Sequence, residues 1–399
     1  MTAPTRLALA AAITAALALG APLAAASQSA PAAPEPTPAP LVRAANPVPG
    51  QYIVTLDKLV DPARTAQKLG LKPTFLYSKA LNGFAVPLTP LQLTLVRNSL
   101  GVKAVEEDAK VQSVPKPSPA TGTRAPSSSW GLDRIDQQQL PLDNTFTPQG
   151  NGAGVTAYIL DTGIDYGHAE FGGRATFGFD AIGDGRQGQD CNGHGTHVAG
   201  TVAGKSYGVA SKANLVSVRV LGCDGKGTYS GMIAGFDWVA KNAAQPAVLN
   251  GSLGGDLSQA LNNAATALSD AGVLPVLAAG NDAKNACMVS PASADRVVTV
   301  AASNRYDEET DFSNWGTCAE LYAPGEDITS AKLGGGAVAL NGTSMASPHV
   351  AGVVALYKQE HPKADPGEIA EYLGDSSTKD VLSKVSKSSP NELLFTNGL

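Results

Sequence analysis

Runs of apolar residues alternate with stretches of helical periodicity from Trp130 onward. The apolar runs are typical of buried strands and cover residues 155–160, 215–220, 246–249, 273–278 and 297–301. Amphipathic helices are predicted over residues 197–203, 229–242, 259–271 and 344–360. This alternation predicts an α/β fold, a parallel sheet with helices on both faces. In such a fold, functional side chains collect at the carboxyl ends of strands and at helix N-termini.

A smaller unit precedes this part of the chain. Strand-like patterns cover residues 51–56, 84–88 and 102–114, and helices are predicted over residues 62–69 and after Thr89-Pro90. With one more strand near Phe75, this order predicts a small α+β, ferredoxin-like domain over residues 50–114. From its pattern alone, this domain could equally be an independent binding module.

Three segments are predicted to lie outside any core. Residues 27–49 are rich in Ala and Pro and predict an extended tether, and residues 115–129 form a second linker. Residues 1–26 have the pattern of a secretory signal peptide, in which Arg6 precedes an apolar run and Ala24-Ala25-Ala26 offers a cleavage site. The run is too short to span a membrane, so we expect a secreted protein with no membrane association.

Charge and cysteine content narrow the classes further. The net charge is −6 and charged residues make up 16% of the chain, so no basic stripe is present and nucleic acid is not an expected partner. We expect a monomer. The cysteines fit an oxidising compartment but allow three pairings, and spacing does not choose between them. They are Cys191, Cys223, Cys287 and Cys318.

An acid, a base and a nucleophile each lie in a glycine-rich turn. Asp161 follows a predicted buried strand, His194 lies in Asn-Gly-His-Gly-Thr-His, and Ser344 lies in Asn-Gly-Thr-Ser-Met-Ala. A hydroxyl needs an imidazole to take its proton, and the imidazole needs a buried carboxylate to hold it. The three residues therefore predict the catalytic triad of a hydrolase.

The order Asp, His, Ser and the residues around each of them resemble the subtilisin-like serine proteases. Residues 190–197 and the opening Trp-Gly-Leu-Asp-Arg-Ile-Asp at Trp130 are similar to the proteinase K group, and within it to the aqualysin-like bacterial branch. The resemblance implies a secreted endopeptidase made as a zymogen, with a catalytic domain over residues 130–399. It also implies that residues 50–114 are an inhibitory propeptide and folding template, removed by a cut within residues 115–129. Protein and peptide substrates are the other implied partners.

Other functions fit the motifs less well. A catalytically inactive relative, kept as an inhibitor or scaffold, usually lacks a triad member, and none is missing here. An esterase would carry G-x-S-x-G, whereas Ala346 stands two residues after Ser344. A metal site at His194 and His197 would need the Glu of H-E-x-x-H. We therefore interpret His197 as a packing residue and expect no cofactor for catalysis.

Further site residues follow from the resemblance. It implies that the side chain of Asn281 donates to the oxyanion together with the backbone N–H of Ser344. Two glycine-rich segments are predicted to bind the substrate backbone as edge strands, because glycine allows close approach. They are Gly225, Lys226 and Gly227, and Ser252, Leu253, Gly254 and Gly255. The second segment, with Ala278, Ala279 and Gly280, is expected to wall an apolar primary pocket that prefers aromatic or aliphatic side chains.

The resemblance also implies disulfides and calcium. The family pairs the equivalents of Cys191 with Cys223 and of Cys287 with Cys318. Oxygen ligands suited to calcium crowd together in Asp133, Asp136, Gln137 and Asp143, where relatives bind the ion; a solvated acidic surface is the alternative. A second calcium site is implied at the carbonyls of Asp295 and Val297 and the carboxylate of Glu320, where the family usually has Asp.

Overall fold

The computed structural model describes residues 37–113 and 129–399. The predicted signal peptide and the maturation site expected in the second linker lie outside the described residues. The helices are α1 (Pro62–Lys68), α2 (Pro90–Arg97), α3 (Trp130–Ile135), α4 (His194–Ala203), α5 (Tyr229–Asn242), α6 (Gln259–Asp270), α7 (Thr343–Glu360) and α8 (Pro366–Ser376).

The strands fall into three sheets. They are β1 (Leu41–Val42), β2 (Pro47–Leu56), β3 (Phe75–Tyr77), β4 (Gly83–Pro87), β5 (Val102–Ser113), β6 (Thr156–Asp161), β7 (Ala175–Asp180), β8 (Asn214–Arg219), β9 (Lys226–Thr228), β10 (Ala247–Gly251), β11 (Leu253–Asp256), β12 (Leu274–Ala278), β13 (Val289–Ser290), β14 (Val298–Ser303), β15 (Leu321–Pro324), β16 (Ile328–Ala331), β17 (Ala337–Leu340), β18 (Thr378–Lys379) and β19 (Glu392–Leu393). The short strands β16 and β17 form an antiparallel pair of their own.

The central sheet has the strand order β18-β19-β15-β14-β12-β10-β6-β8-β7. From β15 to β7 all neighbouring strands are parallel. Every strand that was predicted for this part of the chain is present in it, with bounds shifted by one or two residues. The predicted α/β fold is confirmed.

Alternate residues of one central strand show how helices cover both faces of this sheet. Ala157 and Ile159 of β6 belong to one apolar cluster, which α4 and α7 complete. Tyr158 and Leu160 belong to a second cluster, which α5 and α6 complete. Because successive side chains of a strand point to opposite faces, the continuous apolar run of β6 is buried on both sides.

The N-terminal unit is an antiparallel sheet with two helices, in the order β2-α1-β3-β4-α2-β5. Strands β2, β4 and β5 pair through most of their length. Val54 and Phe84 face α1 and α2 in a small core of this unit. Ile53 and Ala85, on the other face of the same strands, join the cluster that contains α5 and α6. The sheet therefore packs one face on its own helices and the other on the C-terminal part.

The predicted tether is shorter than residues 27–49. Its last part is folded: Leu41 and Val42 form β1 and pair with Val105 and Glu106, and β2 begins at Pro47. Ala39 is buried; its backbone N–H donates to the carbonyl of Arg97, and the Nε–H of Arg97 donates to the carbonyl of Ala39. The proline run ends at Pro40, and beyond it the backbone N–H groups are available for pairing.

Among the described residues, no helix is both long and apolar enough to cross a membrane.

Two helical glycines give opposite stability predictions. A Cβ added at Gly352 of α7 would lie 2.4 Å from the Cβ of Val209, whereas one added at Gly374 of α8 meets no atom within 4 Å. We expect Gly352→Ala to lower the free energy of unfolding by about 1–3 kcal/mol through overpacking. Gly374→Ala should raise it by about 0.5–1 kcal/mol, because alanine loses less backbone entropy. Denaturant unfolding of both variants checks this, and equal effects of the two substitutions would contradict it.

Candidate active site

Asp161 and His194 form a buried hydrogen-bonded pair. Asp161 is the last residue of β6 and His194 is the first residue of α4. The Nδ1 of His194 lies 2.8 Å from Oδ1 and 3.0 Å from Oδ2 of Asp161. The turn before α4 depends on Gly193, whose φ of 106° is strained for any other residue. The predicted helix therefore begins three residues earlier than its hydrophobic pattern indicated.

The charge of Asp161 decides the proton affinity of His194. Burial of the imidazole disfavours its charged form, but the adjacent Asp161 carboxylate outweighs burial and raises the pKa of His194 above its ordinary value. The other ring nitrogen, Nε2, is buried and has no hydrogen-bond partner among the described residues. This arrangement fits a base whose Nδ1–H is held by the carboxylate and whose Nε2 accepts a proton.

Ser344 lies at the N-terminus of α7, the helix packed beneath the central sheet. Its hydroxyl is almost fully buried and donates to the carbonyl of Ser252 at 3.1 Å. The hydroxyl of Ser252 donates in turn to the carbonyl of Ser344 at 2.9 Å. This reciprocal pair fixes the start of α7 against the end of β10. The positive end of the helix dipole therefore points at the Ser344 hydroxyl.

The amide of Asn281 is oriented by the residue before Ser344. Asn281 Oδ1 accepts hydrogen bonds from the backbone N–H and the hydroxyl of Thr343, both at 2.8 Å. Its Nδ2 consequently faces the opposite way. A Cβ added at Gly342 would lie 3.0 Å from Asn281 Nδ2 and 3.6 Å from the backbone nitrogen of Ser344. The space that Gly342 leaves open is bordered by both predicted oxyanion donors.

The two glycine-rich segments hold an extended strand between them, and that strand is the end of β5. Lys226 and Gly227 of β9 pair antiparallel with Gln112 and Val111. On the other side, Leu253 and Gly254 of β11 pair with Ser113 and Gln112. The backbone N–H of Ser113 also donates to the carbonyl of Gly225 at 2.9 Å. Both predicted edges therefore bind a peptide backbone, and here they bind residues 110–113.

A cavity of about 390 Å³ lies beside this bound strand. Gly254, Gly255, Ala278 and Gly280 line it, as the sequence predicted. Lys226 of the other predicted edge also lines it, and the charged side chains of Asp256, Asp282 and Lys284 were not foreseen. The carboxylate of Asp282 is paired with Lys284 at 3.0 Å. The wall of the cavity is thus less uniformly apolar than expected, although one of its two carboxylates is neutralised.

Two carboxylates of β5 bind the N-termini of helices in the C-terminal part. These contacts were not predicted from the sequence. Asp108 accepts from the backbone N–H of Ser230 at 3.0 Å and from its hydroxyl at 2.5 Å. Glu106 accepts from the hydroxyl of Ser258 and from the N–H of Ala260. These contacts satisfy donors in the first turns of α5 and α6, and anions are favoured there.

A third carboxylate makes the reverse contact, from α5 to the N-terminal unit. Asp237 Oδ1 accepts from the consecutive N–H groups of Ser78, Lys79 and Ala80 at 2.9, 2.6 and 2.9 Å. The buried hydroxyl of Tyr77 donates to the carbonyl of Ser230 at 2.9 Å. The helix and the loop before β4 are therefore joined by directional bonds as well as by apolar contact.

A residue that sequence reasoning missed holds the loop that carries Asn281. Asn314 is fully buried, and its Oδ1 accepts from the N–H groups of Asp282 and Lys284 at 3.0 Å each. Its Nδ2 donates to the carbonyl of Ala279 at 2.8 Å. Asn314 lies more than thirty residues away along the chain, so no local pattern could have identified it.

The remaining histidines of this region are buried and neutral. His197 Nε2 lies within hydrogen-bond distance of the carbonyls of Ile328 and Val338, and burial lowers the pKa of His197 to about 3. Burial likewise lowers the pKa of His349 to about 4. These contacts agree with packing roles for both residues.

Both disulfides that the family resemblance implied are present. Cys191 is bonded to Cys223, and Cys287 is bonded to Cys318. The first joins the loop before His194 to the turn before Gly225, and Asn192 reinforces it by donating to the carbonyl of Cys223 at 3.0 Å. The second lies between the loop after Asn281 and the start of β15.

The residues of the first predicted calcium site lie on one loop. Asp133 and Gln137 both accept from the N–H of Asp143 at 3.2 Å, and Asp136 accepts from the N–H of Thr147 at 2.8 Å. Their oxygens are thus close together but already bind backbone donors. Within residues 37–113 and 129–399, no group of three or more His, Cys, Asp or Glu side chains is arranged to hold a metal ion.

The second predicted calcium site has a single side-chain ligand. The carbonyl of Asp295 accepts from the hydroxyl of Thr266 at 2.9 Å. The carboxylate of Glu320 accepts from the N–H of Thr299, two residues after Val297. A cation here would depend on backbone carbonyls and on the longer Glu side chain, and neither site shows a complete set of ligands.

Comparison with known proteins identifies the two parts of the chain. Residues 152–394 match the subtilase family, and residues 51–113 match the peptidase inhibitor I9 family. The chain belongs to the subtilase family of serine proteinases, and its N-terminal domain is a propeptide inhibitor domain of the I9 type.

Individual relatives agree with this assignment. The chain is 44% identical over 376 residues to an extracellular serine proteinase of Thermus sp. strain Rt41A, covering 88% of this chain and 90% of the relative. It is 46% identical over 321 residues to alkaline serine exoprotease A of Vibrio alginolyticus, covering 80% of this chain and 59% of the relative. The crystal structure of a cold-adapted subtilisin-like serine proteinase is 48% identical, with a TM-score of 0.67, over 68% of this chain and 99% of that one.

The histidines should titrate at well-separated pH values. In a Ser344→Ala variant, we expect the imidazole of His194 to titrate with a midpoint above 6.5, because the Asp161 carboxylate favours its charged form. Adding Asp161→Asn should move that midpoint down, because the charge and hydrogen bond of Asp161 are lost, while burial and the weaker effect of the Asp190 carboxylate remain. His197 and His349 should stay neutral above pH 5 in both variants. NMR of the ring protons measures all three, and a His194 midpoint unaffected by Asp161→Asn would contradict the pairing.

Proposed function

We propose that the protein is a secreted serine endopeptidase, made as a zymogen, that hydrolyses peptide bonds through an acyl-enzyme. Asp161, His194 and Ser344 are its catalytic triad and Asn281 is an oxyanion donor. The observation that carries the proposal is the peptide strand held between β9 and β11. Ser113 of that strand pairs with Leu253, and the residue before it, Ser252, accepts the hydrogen bond of the Ser344 hydroxyl.

Acylation begins when Ser344 Oγ attacks the carbonyl carbon of the bound peptide. His194 Nε2 takes the hydroxyl proton, and the Asp161 carboxylate stabilises the imidazolium that forms. The Ser344 hydroxyl must turn from the Ser252 carbonyl toward His194 for this step. His194 then gives the proton to the departing amine, and the acyl-enzyme remains on Ser344.

The oxyanion of the tetrahedral intermediate receives hydrogen bonds from Asn281 Nδ2 and the backbone N–H of Ser344. Thr343 holds the amide of Asn281 in the required direction before substrate arrives. Water then attacks the acyl-enzyme, with His194 as the base for the second time, and the peptide acid is released.

Substrate preference follows from the two edges and the cavity. Main-chain pairing with β9 and β11 demands little of substrate side chains, so broad specificity is expected. Gly254, Ala278 and Gly280 line the cavity. Its two carboxylates, Asp256 and Asp282, share the lining with Lys110, Lys226 and Lys284, so the cavity has no net negative charge to select Lys or Arg. We therefore propose a preference for aromatic or aliphatic residues before the cleaved bond.

Secretion is supported by the signal-like sequence at residues 1–26 and by the names of relatives such as the extracellular proteinase from Thermus. Two disulfides also suit an oxidising compartment.

Ser344→Ala tests the triad and autocatalytic maturation together. We expect loss of proteolysis by about 10⁶-fold in kcat, because the nucleophile is removed. The variant should accumulate in a protease-free host as a precursor that lacks only the signal peptide. Casein hydrolysis and the mass of the purified protein are the measurements. Efficient maturation of the variant in that host would show that another protease makes the cut.

The carboxylates of β5 should control inhibition by the propeptide domain. We expect residues 37–113, added to the processed enzyme, to inhibit it, and Asp108→Ala to weaken inhibition about tenfold or more. The reason is that Ser230 loses two hydrogen bonds and the end of α5 loses its anion. Asp57→Ala is the matched control, because Asp57 is exposed and the hydrogen bonds recorded for it use its backbone rather than its carboxylate. Equal inhibition constants for the two variants would refute the assignment.

We propose that calcium binds at the loop of Asp133, Asp136, Gln137 and Asp143, and secondarily near Glu320. The support is the closeness of the oxygen ligands in the first loop, where Asp133 and Gln137 share one donor. A ligand that binds only the folded state stabilises it by about 2.7 kcal/mol at a hundredfold excess over its Kd. EDTA should therefore lower the Tm, and Asp133→Asn should abolish most of that effect whereas Glu320→Gln should not. An unchanged Tm in excess EDTA would exclude both sites.

A further inference from the structure

Asp190 is a buried carboxylate with no role in the reaction proposed above. It precedes the loop that leads into α4, and its side chain is 7% exposed. Its Oδ1 accepts from the N–H groups of Asn192 and Gly193 at 2.8 and 3.0 Å. Its Oδ2 accepts from the N–H and the hydroxyl of Thr196 at 2.9 and 2.6 Å. Gly193 cannot cap α4 with a side chain, so Asp190 supplies the anion at this helix end.

The same carboxylate also reaches the segment that carries Asp161. Its Oδ1 accepts from the hydroxyl of Thr162 at 2.9 Å, and Thr162 is the residue after Asp161. That hydroxyl oxygen accepts in turn from the N–H of Gly195, the residue after His194, at 2.9 Å. Thr162 and Asp190 thus form a clamp between the end of β6 and the start of α4.

The clamp encloses the contact between the acid and the base. Asp161 and His194 lie on segments that are 33 residues apart in the chain. Asp190 is bonded to both segments by charged hydrogen bonds, which are about twice as strong as neutral ones. Within the described residues, no Lys or Arg lies within salt-bridge distance of it. Its charge is therefore held entirely by donors that belong to the two segments it joins.

We propose that Asp190 is a positioning residue for catalysis: with Thr162, its carboxylate sets the distance and angle at which Asp161 holds His194. This inference rests on the proposed triad. A displacement of about 1 Å in such a pair can reduce a rate about 10²-fold without touching the substrate. Among the described residues, the hydrogen-bond partners of the Asp190 carboxylate are Thr162, Asn192, Gly193 and Thr196, and none of them belongs to β9 or β11. The expected signature is therefore a loss in kcat with little change in KM.

Asp190→Asn is the direct test, because the shape is kept while an amide NH₂ is placed against backbone N–H donors. We expect kcat on a chromogenic peptide to fall about 10²-fold and KM to change less than threefold. The concentration of active sites is determined with a serine-directed titrant, so that a smaller folded fraction is not read as a lower kcat. Asp365→Asn is the matched control, since Asp365 also accepts backbone N–H groups at the start of a helix, α8. It should lower the Tm and leave kcat within about threefold.

Thr162→Val gives a second, milder test that keeps the residue's shape. It removes the link between Asp190 and Gly195, and we expect kcat to fall about tenfold. If the two residues act as one clamp, the double variant should lose little more than Asp190→Asn alone. An Asp190→Asn enzyme with unchanged kcat, or with raised KM only, would overturn the proposal. If Asp190→Asn does not fold, an unchanged kcat in Thr162→Val would overturn it. Failure of the triad itself would appear separately, as proteolysis that survives Ser344→Ala.

Discussion

Strand β5 pairs both within the propeptide sheet and with strands of the C-terminal part, and the rest of the structure depends on this double pairing. Its first part is the edge and then the interior of the propeptide sheet, paired with β1 and β2. Its last residues leave that sheet and fill the gap between β9 and β11. An unpaired sheet edge is a template for any extended peptide. The C-terminal part has two such edges, β9 and β11, and the end of β5 in the propeptide domain pairs with both of them.

The same strand, β5, also binds the helices α5 and α6. Asp108 and Glu106 bind the first turns of α5 and α6, while Asp237 of α5 binds the loop before β4. Apolar side chains of the propeptide sheet complete the cluster on that face of the central sheet. Main-chain pairing, helix-end anions and apolar packing therefore coincide on one surface. Each requires the others to be in register, because a one-residue slip of β5 would turn both carboxylates to the wrong face.

Much of this could be predicted from the sequence, for a physical reason that differs from feature to feature. Five central strands, β6, β8, β10, β12 and β14, contain apolar runs that alternate with helical patterns, so the parallel sheet is predictable from the sequence pattern. Asp161, His194, Ser344 and Asn281 lie in turns whose glycines are required by the backbone, and such motifs are read locally. The contacts of Asp108 with Ser230 and of Glu106 with Ser258 span 122 and 152 residues, and in the sequence these acids look like ordinary polar positions of a strand. The folded part of the predicted tether, residues 38–49, was missed because its prolines hide the short strand β1 and the first residues of β2.

The division of the apolar cluster between two domains has a consequence for the lifetime of the processed enzyme. Ile53, Tyr77 and Val111 belong to the core around α5 and α6, and under the proposed maturation they would be removed with the propeptide domain. The chain that folds is then longer than the processed enzyme. The processed enzyme lacks contacts that favoured its native state during folding. The lifetime of such a protein depends on its unfolding rate rather than on its equilibrium free energy of unfolding. Interactions that form only after the folding barrier are then the ones whose strengthening slows the loss of the native state.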